Sequence, residues 1–303
     1  MLRSALLKLS DSSRLAHWVT TNRSARRVAR RFVAGESLEE AIAAAHKCND
    51  AGMSASLDYL GESVTTAEDA QSARDAYLEI FDRIAQEKLQ ANVWCKLTQL
   101  GLDFSTDLCE GLLYSIVEHA AAHDNFLRVD MESSAHTQRT IDLVKQIRSR
   151  KPTIGAVIQS YLYRSENDVR DLLAYGCRIR LCKGAYQESA HVAFVQKRDV
   201  DANFICLMRM LLTSGFYHAI ATHDPRMIAE TIRFTGAQGI SKEDFEFQML
   251  SGVRTDLQRQ LVKDDYRLRI YIPFGRDWFR YFMRRLGERP ANLAFFLRHL
   301  VKS

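Results

Sequence analysis

Apolar and polar positions change period along the chain. From residue 13 to about 50 they recur at helical spacing: a run ending Arg26-Arg27-Val28-Ala29-Arg30-Arg31-Phe32-Val33-Ala34 stops at Gly35, and a second helix opens at Ser37 and closes at Gly52. Short β-rich runs then begin, at 54–60, 91–97, 126–131, 153–159, 177–182, 217–222, 244–249 and 267–272. Helical-period segments separate them, at 67–90, 107–123, 137–150, 166–175, 191–213, 225–234 and 253–263, with a last one starting at Trp278. Alternation of strand and helix implies right-handed parallel crossovers, and eight strands are the number that closes into a barrel. The pattern predicts an α/β chain: a distorted (β/α)8 barrel of the TIM type over 53–303, with residues 1–52 as extra N-terminal helices packed on it. No Gly-x-Gly-x-x-Gly turn follows any strand, so an open dinucleotide-binding sheet has no support.

Each strand finishes in polar residues: Asp58 with Glu62, Lys96, Asp130 with Glu132, Gln159, Arg180 with Lys183, Thr222 with His223, Gln248, and Tyr271. A single polar strand end is a chain leaving for solvent. Eight of them, with apolar residues upstream, suit a barrel whose carboxyl-terminal mouth holds an active site.

Composition adds less. Apolar residues at 47%, charged ones at 26% and only four prolines describe an ordinary soluble domain without long linkers. The net charge of +5 is mild, but the first 35 residues carry eight Lys or Arg against Asp11 alone. Such a segment is a solvated helix face, a transit peptide or a contact for an anionic surface. Its periodicity runs on into Phe32 and Val33 without a small-residue cleavage motif, so a folded helix is expected rather than a cleaved presequence. No apolar run approaches the roughly 20 residues of a membrane span. Six cysteines without a Cys-x-x-Cys pair are expected to be reduced thiols in a cytoplasmic compartment, and no metal site is expected: no second His or Cys falls at ligand spacing beside His223.

Two motifs carry chemistry on residue type alone. Arg180-Leu-Cys-Lys183-Gly184-Ala185-Tyr186 sets two cations around a turn whose glycine lets backbone amides approach a ligand, which suits a pyrophosphate or a flavin edge. On the last helix Tyr281, Arg284, Arg285, Glu288 and Asn292 share one side. That side is either a solvated face of charge pairs or, since adjacent arginines early in a helix oppose its dipole, a clamp for a small carboxylate.

The string Tyr271-Ile-Pro-Phe-Gly275, eight further residues and Arg284-Arg-Leu-Gly-Glu-Arg-Pro-Ala-Asn-Leu293 closely resemble the last strand and helix of the flavin-dependent proline dehydrogenases, in particular the short, single-activity bacterial enzymes. The resemblance runs from about Arg31 to the C-terminus and includes Arg180-x-x-Lys-Gly-Ala-Tyr186. It implies oxidation of L-proline to 1-pyrroline-5-carboxylate by hydride transfer from proline C5 to FAD N5. It further implies that Arg284 and Arg285 hold the proline carboxylate together with Lys96, with Tyr271 and Tyr281 at the substrate. Asp130 belongs to the catalytic set, as does Arg180 beside the flavin N5. Met131 lies beside the flavin ring, Gln159 hydrogen-bonds it, Lys183, Gly184 and Ala185 contact the cofactor, and Thr222 and His223 reach its adenosine portion. Glu62, in Leu57-Asp-Tyr-Leu-Gly-Glu62, closes the site by pairing with Arg284. A tyrosine at 271 implies preference for proline over 4-hydroxyproline. A quinone or similar acceptor would reoxidise the flavin, with transient contact at the inner membrane, and a separate pyrroline-5-carboxylate dehydrogenase would take the product. Two other classes are a metal-dependent barrel hydrolase, for which no ligand cluster assembles at the mouth, and a nucleic-acid-binding protein, for which the basic start is the only feature and no aromatic platform accompanies it.

Overall fold

Ser37 caps the first described helix, α1 (Leu38–Asp50): its hydroxyl accepts the Glu40 amide at 3.3 Å while the Glu40 carboxylate accepts the Ser37 amide at 3.4 Å. Gly52, at φ +75°, makes the left-handed turn that ends it. Ala41, Ile42 and Ala45 on its inner face are buried in the main core. The chain then alternates through β1 (Ser54–Tyr59), α2 (Ala67–Gln86), β2 (Ala91–Cys95), α3 (Thr106–Ala122), β3 (Leu127–Val129), α4 (Ser134–Arg148), β4 (Ile154–Gln159) and α5 (Ser165–Ala174). It continues through β5 (Arg178–Cys182), α6 (Lys197–Leu212), β6 (His218–Ala221), α7 (Pro225–Gln238), β7 (Phe245–Leu250), α8 (Thr255–Lys263), β8 (Leu268–Phe274) and α9 (Trp278–Glu288). In this computed structural model the described residues are Val19, Thr21, Asn22, 29–61 and 63–288, the side chains of 284–288 excepted.

All neighbouring strands are parallel and the sheet closes, β8 pairing with β1 from Ser54 opposite Arg269 to Tyr59 opposite Phe274. Closure removes the exposed edges that an open sheet would have to protect. Period 2 then explains the residue choice. Leu57, Val93, Val129, Ile179, Phe247 and Ile270 alternate outward into the core shared with the helices. The positions between them point inward, and there the chain places Asp58, Arg128, Arg180, Glu246, Gln248, Arg269 and Tyr271. A barrel interior normally filled by branched apolar side chains is here built on paired charges.

The eight strands and the helices between them lie close to where the hydrophobic pattern puts them, with four larger differences, of which the first is that α2 stops at Gln86 and not at 90. A single 3-10 turn, Leu97–Leu100, follows β2 where no helix is legible, since four residues are too few to establish a period. α6 begins at Lys197 rather than at 191, because 192–194 are spent on backbone pairing with 161–163: Tyr163 donates to Val192 O at 3.0 Å and Phe194 to Tyr161 O at 2.7 Å. α7 runs four residues past 234, to Gln238, where Gly239 at φ +65° stops it.

α9 lies across the mouth. Trp278, Phe279, Tyr281, Phe282 and Met283 form one buried cluster with Leu60, Trp94 and Tyr271 from the strand ends and with Phe32 and Val33 from before α1. The segment is tied down by backbone bonds, Ala34 donating to Pro273 O at 2.9 Å and Gly275 to Gly35 O at 3.0 Å.

Candidate active site

The inward alternation of β1, β2 and β8 delivers three polar side chains to one buried point under α9. The Tyr271 hydroxyl donates to Asp58 Oδ2, and Lys96 Nζ stands 3.7 Å from the same oxygen. Asp58 is 2% exposed, Lys96 5% and Tyr271 7%, so the ion pair acts in a dry setting where charge interactions are strong. Burial, and then the negative charge of Asp58, push the Tyr271 phenol well above its ordinary range, so it is a hydrogen-bond donor and not a phenolate.

Tyr271 also joins an aromatic stack. Its ring centre is 4.9 Å from that of Trp94 and 6.0 Å from that of Tyr281 on α9. The Arg180 guanidinium lies over Trp94, 4.4 Å from the ring centre, a cation–π contact between β5 and β2. Arg180 Nε donates to Gln248 Oε1 at 2.9 Å, Gln248 Nε2 donates to Glu246 Oε1 at 2.5 Å, and Arg269 Nε donates to the same oxygen at 2.9 Å. A continuous run of contacts thus crosses the barrel from Lys96 through Asp58, Tyr271, Trp94, Arg180, Gln248 and Glu246 to Arg269. Burial alone would raise the Glu246 carboxyl, but Arg269 beside it holds it below its ordinary range.

A second group gathers on β3, β4 and the loop after β5. Gln159 Nε2 donates to Met131 O at 2.6 Å and to Glu132 O at 3.1 Å, while its buried Oε1 has no partner among the described residues. Trp94 Nε1 is likewise buried and unpartnered among them. Asp130 Oδ1 accepts the Met131 amide at 3.0 Å, which orders the strand exit. Glu132, buried, accepts from the Thr98 amide at 3.2 Å and hydroxyl at 2.8 Å, and burial raises its carboxyl.

Lys183 Nζ is held by Asp201 at 2.5 Å and Asp224 at 2.9 Å. Lys197 and Arg226 bond the same two carboxylates, so three cations face two anions. Gly184 sits at φ +106° with its surface exposed, and a Cβ there would meet the Tyr161 ring at 2.1 Å, so both conformation and space call for glycine. At the end of β6, Thr222 Oγ1 accepts the Asp224 amide at 3.1 Å and His223 Nε2 accepts the Leu250 amide at 2.8 Å, which puts the imidazole proton on Nδ1.

The structure therefore brings Lys96, Tyr271, Tyr281 and Arg180 together, and sets Asp130, Met131 and Gln159 on adjoining strand ends. Glu62 and the side chains of Arg284 and Arg285 lie outside the described residues; in sequence the two arginines follow Tyr281 by three and four positions on α9. Asp58 and Gln248 are recognisable in the sequence as polar strand ends but carry no assigned role there. Trp94 and Glu246 are missed altogether. The signal that could have found them is the inward alternation itself, which makes Trp94 the neighbour of Asp58 in register and Glu246 the residue two before Gln248.

A closed (β/α)8 barrel with a polar, helix-covered carboxyl-terminal mouth is the architecture of a barrel enzyme. The chain belongs to the proline dehydrogenase family, whose profile matches residues 41–298. It is 40% identical over 302 residues to proline dehydrogenase 1 of Bacillus subtilis, covering 100% of both chains. It is 38% identical over 280 residues to the proline dehydrogenase of Deinococcus radiodurans, covering 91% of this chain and 90% of that one. Among solved structures it resembles proline utilization A from Bdellovibrio bacteriovorus inactivated by N-propargylglycine, with a TM-score of 0.82 and 25% identity, covering 90% of this chain and 33% of that much longer one. Proline dehydrogenase function goes with this membership. Among the described residues no helix is long and apolar enough to cross a membrane.

Proposed function

We propose that this chain oxidises L-proline to 1-pyrroline-5-carboxylate with FAD as its resident cofactor, the first step of proline catabolism to glutamate. The observation that carries the reading is the buried run from Lys96 through Asp58, Tyr271 and Trp94 to Arg180, which lines one mouth with a carboxylate-binding cation, an aromatic wall and a guanidinium.

The residues fit a flavin dinucleotide. Gln159 Oε1 and Trp94 Nε1 are a buried acceptor and a buried donor, the kind of groups a polar ring would satisfy. The surplus of cations over carboxylates around Lys183, next to the open backbone of Gly184, favours a diphosphate. Gln159, Met131 and Arg180 would hold the ring, Lys183, Gly184 and Ala185 the diphosphate side, and Thr222 and His223 the adenosine side. When bound, FAD supplies the hydride acceptor at its N5.

The chain's own part is to bind, orient and keep dry. Lys96 with Arg284 and Arg285 holds the proline carboxylate, and Tyr271 and Tyr281 pack the ring so that C5 is presented. Loss of hydride from C5 and of a proton from the ring nitrogen leaves the C5=N bond of the product. Asp58 keeps Lys96 and Tyr271 in register, Asp130 borders the reacting centre, and the Arg180 charge favours the electron-rich side of the reaction. The apolar underside of α9 excludes water, and Glu62 pairing with Arg284 closes the site. A quinone or similar acceptor then takes the electrons during transient contact of this cytoplasmic protein with the inner membrane, and a separate pyrroline-5-carboxylate dehydrogenase consumes the product.

The test is an absorption spectrum of the purified chain, followed by anaerobic addition of L-proline and trapping of the cyclic imine with o-aminobenzaldehyde. A flavin spectrum that bleaches with proline, alongside a trapped imine, is the expected result. A folded chain that neither carries nor takes up FAD, or whose flavin proline leaves oxidised, rules the proposal out.

A further inference from the structure

Away from the mouth, three side chains converge in a way that the proline chemistry does not use. His119, in the last turn of α3, and His123, the residue that caps it, stand four apart on one helix side. Their Nε2 atoms approach a single oxygen, Asp82 Oδ1 near the end of α2, at 2.7 Å and 2.8 Å. The two rings meet edge to face with centres 4.8 Å apart. α2 and α3 each end just before a strand begins, so this cluster lies toward the amino-terminal face of the barrel, opposite the mouth.

We infer that Asp82, His119 and His123 form a binding site for a divalent late-first-row transition-metal ion, Zn2+ or a close neighbour. Among the described residues this is the one group of three His, Cys, Asp or Glu side chains whose donor atoms all lie within 4.8 Å of one another. Two imidazole nitrogens and one carboxylate oxygen are a borderline donor set that suits zinc, nickel or copper and disfavours magnesium and calcium, which prefer oxygen throughout. Neutral imidazoles with one carboxylate give the site a single negative charge, which a divalent ion reverses. Three protein ligands leave a fourth tetrahedral position to water.

In the metal-free arrangement an imidazole N–H donates to Asp82 Oδ1. Metal binding replaces it: the proton moves to Nδ1, the Nε2 lone pair faces the ion, and the carboxylate exchanges two N–H donors for one cation. Donor atoms of a tetrahedral zinc site stand about 3.3 Å apart at normal bond lengths. The present N–O contacts therefore open by roughly half an ångström, and the two Nε2 atoms, which lie within 4.8 Å of each other, come to the same spacing, motions that side-chain rotations supply. All three side chains are partly exposed, His119 at 30%, His123 at 29% and Asp82 at 55%, so both the adjustment and ion entry are unobstructed. The ion would tie the end of α3 to that of α2 without touching any residue at the mouth.

The experiment is calorimetric titration of untagged, EDTA-stripped, cofactor-loaded protein with ZnCl2, alongside His119→Ala, His123→Gln and Asp82→Asn. Saturable uptake of one ion per chain is expected, weakened at least ~10-fold in each variant, with proline turnover unchanged. Zinc should also raise the unfolding temperature of the wild type and fail to do so in the variants, whose metal-free melting shows directly that they fold. Absence of saturable uptake overturns the assignment. So does uptake that survives unchanged in all three variants, which would move the ion to other donors, or Mg2+ binding as tight as Zn2+.

Discussion

Replacing Glu246 by glutamine removes one negative charge from the centre of the barrel and changes almost nothing in shape. Glu246 is 3% exposed and accepts from Arg269 Nε at 2.9 and 3.1 Å, from Gln248 Nε2 at 2.5 Å and from the Tyr217 hydroxyl at 3.1 Å. It is the counter-charge for Arg269 and for the buried Arg128, whose guanidinium bonds only the carbonyls of Ala156 and Arg178 at 3.2 and 3.1 Å among the contacts described, and whose pKa burial draws down to about 10. Breaking a buried pair while leaving its partner charged costs about 3–5 kcal/mol. Equilibrium urea unfolding should therefore place Glu246→Gln that far below the wild type at neutral pH, with an unchanged denaturant slope. The pH dependence has a definite sign. Burial raises this carboxyl and Arg269 more than reverses it, so its folded-state pKa lies below the ordinary 4.5. A depressed carboxyl stabilises fully above its unfolded pKa and loses that contribution as pH falls through the folded value. The gap between wild type and variant should thus be constant from neutral pH down to about 4.5 and narrow below it. A loss under about 1 kcal/mol, the scale of a surface pair, or a gap that widens in acid, would show that the interior column is not held by this charge.

Four further substitutions probe the mouth. Arg284→Met and Arg285→Met should each raise KM for proline by the equivalent of about 1.5–3 kcal/mol of a charge-assisted bond while the flavin stays bound; normal affinity for proline and for unreactive cyclic carboxylates would discard the clamp. Tyr271→Phe removes the donor to Asp58 and should lower kcat/KM for proline by a similar factor. Tyr271→Ser, which also removes the bulk stacked between Trp94 and Tyr281, should narrow the preference for proline over trans-4-hydroxy-L-proline, expected at about ten- to two-hundred-fold in the parent. Steady-state kinetics with both substrates decide it, and an unchanged ratio would leave Tyr271 a packing residue.

How far the sequence reaches depends on whether a feature is local. Barrel closure is legible because eight short β-rich runs alternate with helical-period segments, and a closed parallel sheet needs no further choice of partner order. The start of α6 is not legible, because the apolar residues at 192–194 resemble a helix face and become a loop only through pairing with 161–163, some thirty positions earlier. The site divides in the same way. Arg180, Lys96 and Gln159 stand out as polar groups at strand ends, but Asp58 acquires its role from Lys96 and Tyr271, 38 and 213 residues distant, through the register of three strands. The cluster at the amino-terminal face, where the sequence leads to no expectation of a metal site, repeats the lesson at one remove: His119 and His123 stand four apart on one helix, and Asp82 joins them only because α2 and α3 lie side by side. An inward residue in a barrel has neighbours fixed by stagger across strands and not by spacing along the chain. Residue type therefore says that a polar group is present, and only register says what it answers.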